Sequence, residues 1–251
     1  MPIQQIEPRR LYRQIADQLR SLIERGEFPV GKRLPAERDL AVQLGVSRPS
    51  VREALIALEV EGFVEVRMGS GIYVRDVSDM SATDRARAAS VMAESPLDVI
   101  RARQTIEGEM AATAARRCTP ALLQSLDAAI DMMVEEAGSG QIPARGDRLF
   151  HLRISEAAEN TVLVRLVAEL FDERQNPLWA QFGNHFENAQ SWHAAIAEHR
   201  AVVDAIASCS PDAARAAMCE HLELSHQRFY AAWPAASDAS RAAVASLKET
   251  S

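Results

Sequence analysis

The 251-residue chain lacks the features that would fix it in a membrane or mark it for export. No apolar run approaches the roughly 20 residues needed to cross a bilayer. The opening residues, MPIQQIEPRRLYRQ, carry no secretory apolar stretch. These absences place the protein in the cytoplasm, with no membrane partner. The three cysteines, Cys118, Cys209 and Cys219, are odd in number and form no C-x-x-C pair. That suits a reducing compartment in which the thiols pack as small apolar groups without further function. Enzyme signatures are also missing: there is no H-E-x-x-H helix, nucleophile elbow or phosphate loop. A non-enzyme is expected, and no repeat of fixed period is present.

Histidine is absent from the first 150 residues, yet six follow, at 151, 185, 193, 199, 221 and 226. Charge divides too: up to Asp76, 12 Lys/Arg stand against 11 Asp/Glu, and beyond it 16 stand against 24. The acidity belongs to the second part, and the asymmetry points to two domains with different chemistry. An acidic chain can still bind nucleic acid, because phosphate contacts are local and ions screen charge beyond about 8–10 Å.

Leu11, Ile15, Leu19, Leu22 and Ile23 fall at helical spacing before Gly26, and Leu40 and Leu44 mark a second short helix that stops at Gly45. Ser47 is suited to cap a third helix, with Pro49 in its first turn and Val51, Leu55 and Leu58 as its apolar stripe. The period then changes. FVEVRMGSGIYV alternates, breaks at Gly69-Ser70-Gly71 and resumes, as a β-hairpin does. Residues 1–76 thus read as a winged helix-turn-helix, 77–96 as a linker rich in Ser, Ala and charge, 97–235 as an all-α bundle, and 236–251 as a frayed tail. The bundle helices are expected near 97–117, 120–137, 143–158, 161–175, 187–208 and 211–232, with breaks at residues such as Asn160, Pro177 and Pro211.

The third helix would present Arg48, Ser50 and Arg52 near its N-terminus, where side chains reach base edges in a major groove. An arginine fork grips guanine O6 and N7 together, which is worth roughly 1–3 kcal/mol of discrimination. Arg38, Arg67 and the amides of Gly69 and Ser70 would supply phosphate or minor-groove contacts. The alternative for any one of these arginines is a solvated helix face.

In the bundle, Asp147 and His151 stand four apart in an amphipathic run and so share one helix face. His199 and His221, each preceded by Glu, can point inward from other helices. Three imidazoles and a carboxylate suit a divalent ion held in a bundle core. The competing reading is a set of hydrogen-bonded core histidines.

LYRQIADQLRSLIERGEF, LPAERDLAVQLGVSRPSVREALIALEVEGFVEVRMGSGIYV and the helical second part resemble the GntR family of bacterial transcription regulators, in the FadR-like branch with an FCD effector domain. The resemblance implies DNA contacts at Arg38, Ser47, Arg48, Ser50, Arg52 and Gly69. Met68 stands where a histidine is common, and no contact is assigned to it. The family pattern D-x-x-x-H, H, H is matched at Asp147, His151, His199 and His221, which implies a divalent metal: zinc first, with nickel and manganese as alternatives. His185, His193 and His226 fall outside the pattern.

Arg103 stands where such domains carry an arginine that pairs with an effector carboxylate, against the rival reading of an i, i+4 ion pair with Glu107. Asn160 is expected either to cap the next helix or to touch the effector, and Trp179 and Trp192 either to line the pocket or to pack. Within the family, EPRRLYRQIADQL, ARQTIEGEMAATAA and NPLW look like the uronate-utilisation regulators of UxuR and ExuR type. This implies a homodimeric repressor released from a palindromic operator by a hexuronate or a derived sugar acid. The alternatives are a purely structural metal with another organic acid or an acyl-CoA as effector, and a metallohydrolase with a DNA-binding head.

Overall fold

A computed structural model describes residues 10–67, 69–77 and 94–231. The expected tail and most of the expected linker lie outside these residues, as does Met68. The described chain forms two compact units that divide between Ser95 and Pro96.

The first unit is a winged helix-turn-helix. It comprises α1 (Leu11–Glu24), α2 (Glu37–Leu44), α3 (Arg48–Val60), β1 (Val64–Arg67) and β2 (Gly71–Val74). The α1 stripe of Tyr12, Ile15, Ala16, Leu19 and Ile23 is buried, and α1 packs against α3, whose Val51, Ala54, Leu55 and Leu58 are wholly inaccessible. Truncating a buried leucine such as Leu55 to alanine costs roughly 2–5 kcal/mol.

The turn between α2 and α3 is written in two residues. Gly45 ends α2 in the left-handed region, at φ +68°, which glycine adopts without strain. Ser47 then caps α3, its hydroxyl accepting the Ser50 amide at 3.3 Å.

The hairpin is antiparallel, with Val64 opposite Val74 and Val66 opposite Ile72, all four buried. Sequence periodicity did not reveal a further backbone segment on the other side of β2. The Gly31 and Leu34 amides donate to Val74 and Ile72 carbonyls at 2.8 Å, and the Val74 amide donates to Lys32 at 2.9 Å. This segment covers what would otherwise be an open strand edge.

The second unit is all-helical among its described residues. Its helices are α4 (Pro96–Arg116), α5 (Pro120–Gly138), α6 (Ala144–Glu156), α7 (Thr161–Asp172), α8 (Pro177–Phe186), α9 (Ala189–Ala207) and α10 (Pro211–Ala231), with a 3-10 turn at Glu173–Gln175. Thr119, Asn160, Asn176 and Asn188 cap α5, α7, α8 and α9 through their side-chain oxygens. α8 was not expected. Pro177, read from sequence as a break, occupies the first helical turn behind the Asn176 cap, where its missing N–H costs nothing.

Small residues let the helices approach. α10 lies along α4, whose Ala111, Ala112, Ala114 and Ala115 are at most 1% exposed. Gly146 lets α6 press on α5: a side chain there would meet the Met133 and Ala129 backbones below 3.0 Å. That contact seats the next residue, Asp147, in the core. The cysteines depart from expectation, since Cys209 is exposed and Cys118 and Cys219 are half-buried.

Candidate metal-binding pocket and nucleic-acid interface

α6, α9 and α10 bring the four expected ligands together. Asp147, His151, His199 and His221 are at most 5% exposed. Each offers a ligand atom within 4.8 Å of the others. His199 Nε2 stands 3.0 Å and His151 Nε2 3.5 Å from the same Asp147 oxygen, Oδ1. The His199 and His221 ring centres are 4.2 Å apart.

The outer nitrogen of each imidazole is engaged. His199 Nδ1 donates to the Ala195 carbonyl at 2.6 Å, His221 Nδ1 donates to Glu198 at 3.0 Å, and His151 Nδ1 donates to Glu107. A proton fixed on each Nδ1 turns all three Nε2 lone pairs toward Asp147, the arrangement in which hydrogen-bonded histidines serve a metal. His199 Nε2 is buried with no hydrogen-bond partner. Opposed lone pairs and a carboxylate oxygen in a buried space need a cation between them, so the donor set fits a divalent ion.

Burial would raise the Asp147 carboxyl, but the Arg174 guanidinium and the adjacent imidazoles of His151 and His199 hold it well below the usual carboxylate range. Glu107 is likewise pulled down to about 2, against burial, by Arg103 and His151. Burial, reinforced by repulsion from His199 and His151, pushes His221 well below its usual value. Burial also works against protonation of His151, but Glu107 outweighs it and raises that imidazole.

The cluster opens onto a cavity of about 480 Å³ that includes some open solvent. Asp147, His151, His199 and His221 form one wall, and Arg103, Arg174, Glu187, Trp192, Ser225 and Arg228 contribute to the rest. Arg103 realises its rival reading, since Nε donates to Glu107 at 2.6 Å. It is also a pocket residue, and its Nη2 is buried without a hydrogen-bond partner. Arg174 bridges Asp147 and Glu187 and lies over the rings of Phe171, Trp179 and Trp192 at 5.1, 5.9 and 5.8 Å.

On the other unit, Arg38, Ser47, Arg48, Arg67, Gly69 and Ser70 are exposed and Ser50 is half-buried. Arg67 pairs with Glu65 at 2.9 Å and lies 4.6 Å over the Tyr73 ring. Two expectations need correction. Arg52 is 2% exposed and donates to Glu37 at 2.8 Å, so it is not free to enter a groove. The Ser70 amide closes the wing turn by donating to the Arg67 carbonyl at 2.9 Å, which takes it out of service as a phosphate donor.

Residues 11–74 match the gntR family of bacterial regulatory proteins, and residues 98–224 match the FCD domain. The chain belongs to the GntR family. It is 36% identical over 222 residues to the Uxu operon transcriptional regulator of Escherichia coli K12, covering 87% of this chain and 86% of that one. It is 37% identical over 225 residues to the Exu regulon transcriptional regulator of the same strain, covering 86% and 83%. A Uxu operon regulator of Haemophilus influenzae is 34% identical over 215 residues, covering 85% and 80%. This GntR protein is therefore a DNA-binding transcriptional regulator related to the Uxu and Exu regulators, and not an enzyme. None of its described helices is long and apolar enough to cross a membrane.

Several pocket residues of this regulator had no signal in the sequence. Arg174, Glu187 and Arg228 reach the cavity from a 3-10 turn, a loop and a helix, and none stands in a recognisable spacing to the expected ligands; Glu198, the residue before His199, meets His221 instead. Glu107 carried a weak signal, four residues after Arg103. Asn160 proves to be a cap: its Oδ1 accepts the Val162 and Leu163 amides at 3.0 and 3.4 Å, and it does not line the cavity. Trp192 both packs, at 7% exposure, and lines the cavity, whereas His185, His193 and His226 do not line it.

Proposed function

We propose that this regulator is a homodimeric repressor whose heads read the two halves of a palindromic operator through Arg48 and Ser50, with Arg38, Ser47, Arg67 and Gly69 meeting the backbone. A small carboxylate, a hexuronate or a sugar acid derived from one, binds in the cavity of the helical unit and releases the DNA. Asp147, His151, His199 and His221 would hold a divalent ion, zinc before nickel or manganese, which would supply positive charge to draw the anion. One observation carries the effector reading: Arg103 Nη2 is buried without a partner in the wall of a cavity that also holds the imidazole cluster. A buried guanidinium nitrogen left unpaired is costly, and a carboxylate satisfies it. The relatedness to Uxu and Exu regulators supports a uronate-type acid.

Release requires the effector to favour the state that cannot bind DNA, and a coupling of about 1–3 kcal/mol would shift operator affinity about 5–150-fold. The cavity wall, with Arg103, Arg174, Glu187 and Arg228, is too charged for an acyl chain, which speaks against an acyl-CoA.

The test is thermal unfolding of the metal-replete protein with hexuronates, their keto isomers, hexonates, short hydroxy acids and an acyl-CoA. A bound ligand at about 100 times its Kd adds roughly 2.7 kcal/mol. One sugar acid should raise Tm in the wild type and not in Arg103→Met. If none does, the uronate assignment fails; if none does and chelator still lowers Tm sharply, the ion is structural.

A further inference from the structure

Glu37, the first residue of α2, is 5% exposed, although it stands beside the surface expected to face DNA. A buried carboxylate there needs a reason. Its two oxygens serve different residues of α3: Oε1 accepts Arg48 Nε at 2.7 Å, and Oε2 accepts Arg52 Nε at 2.8 Å and Nη2 at 2.7 Å. The two arginines differ in what remains. Arg52 is 2% exposed and is spent inside the unit. The Arg48 side chain is 60% exposed, and its Nε is its one engaged nitrogen among the described residues.

The carboxylate therefore grips Arg48 by the inner corner of its guanidinium and leaves Nη1 and Nη2 outermost. Those are the two nitrogens that a bidentate contact with guanine O6 and N7 uses. We infer that Glu37 is a positioning residue for DNA reading: its carboxylate, fixed by Arg52, aims the Arg48 guanidinium at a guanine. The inference rests on the reading of Arg48 as a base contact.

Two consequences separate this role from mere support of the fold. Freeing a long side chain that must be ordered again on binding weakens operator affinity roughly two- to tenfold. Removing a negative charge near the phosphates leaves non-specific binding unchanged or stronger, because that binding is electrostatic. Loss of folded protein would lower both together.

The experiment uses the full chain and duplexes that the wild type enriches from a randomised library, with each guanine replaced singly by 7-deazaguanine, which lacks the N7 acceptor. The wild type should lose affinity at one guanine in each half-site. In Glu37→Gln that penalty should shrink several-fold while binding to an unrelated duplex holds or rises.

Glu37→Gln leaves Arg52 buried without its carboxylate, so Glu37→Met/Arg52→Met serves as the second variant. It removes the buried pair together and keeps the core apolar, and melting confirms its fold. A folded Glu37 variant with the wild-type penalty at the same guanine overturns the inference. Arg48→Ala separates the two readings. If it removes the penalty and the Glu37 variants keep it, only the role of Glu37 fails; if it keeps the penalty, the base-reading role of Arg48 fails with it.

Discussion

Replacing His199 by alanine tests the imidazole cluster most directly. The side chain is 0% exposed and its ring meets Phe150 edge-on at 4.6 Å, so its loss leaves a cavity in any state of the site. By analogy with other large-to-small core changes, that alone costs about 2–5 kcal/mol and lowers Tm with or without metal. The informative quantity is the difference between metal and chelator. A divalent ion at about 1,000 times its Kd stabilises the wild type by about 4 kcal/mol. Groups that only orient a metal ligand change affinity about 10–100-fold. Removing a ligand outright should exceed that, so the stabilisation by metal should fall by more than about 1.4–2.7 kcal/mol.

The assay is thermal unfolding of wild type and His199→Ala, each in EDTA and in zinc. Four melting curves separate packing from coordination, because the packing loss appears in both columns and the coordination loss in one. A variant that retains the full wild-type response to zinc would refute the assignment, whatever its absolute stability.

The other predictions concern the head, the pH response and one cap. Arg52→Ala should destabilise the first unit by about 3–5 kcal/mol by stripping Glu37 of a buried partner, visible in chemical denaturation, whereas Arg48→Ala, which leaves only Glu37 Oε1 without its partner, should cost about 1–3 kcal/mol and abolish operator preference in fluorescence anisotropy. Below pH 6.5 the metal-free protein should lose stability, because the unfolded chain takes up a proton that the neutral, depressed His221 refuses. A second loss should follow as pH falls from 4.5 toward about 2, the range over which unfolded Glu107 is protonated before the folded carboxyl. Acid titrations of wild type, His221→Phe and Glu107→Gln check both windows, and unchanged curves would exclude these groups. Asn160→Ala should cost about 0.5–2 kcal/mol as a lost cap and leave the effector-induced Tm shift intact; loss of that shift would return Asn160 to the effector site.

The winged helix was legible because each of its signals is local. Ser47 and Gly45 punctuate the turn by backbone chemistry, and Val64, Val66, Ile72 and Val74 alternate as a half-buried strand pair must. The candidate metal ligands were legible in part, since Asp147 and His151 share a helical face by spacing alone. Placing His199 and His221 beside them required the resemblance to a family.

What stayed hidden is non-local. Nothing in RPSVREAL announces that Arg52 turns inward, because its partner Glu37 lies 15 residues earlier, in another helix. Arg174 was invisible for the same reason, its bonds to Asp147 and Glu187 spanning 27 and 13 residues. α8 was missed for a different reason: proline breaks a helix interior but suits a helix start, and only the Asn176 cap distinguishes the two.

The position of Arg103 along α4 has a mechanical consequence. α4 begins at Pro96, the first residue of the second unit, and Arg103 lies seven residues along it, about 10 Å of helical rise. Glu107, one turn further, grips both Arg103 and His151. A ligand that pulls on this guanidinium therefore pulls on the stiff rod into which the chain runs on leaving the DNA-reading unit. A push at the anchor needs no relay of side chains to reach the end of that rod; the covalent backbone of a single helix transmits it.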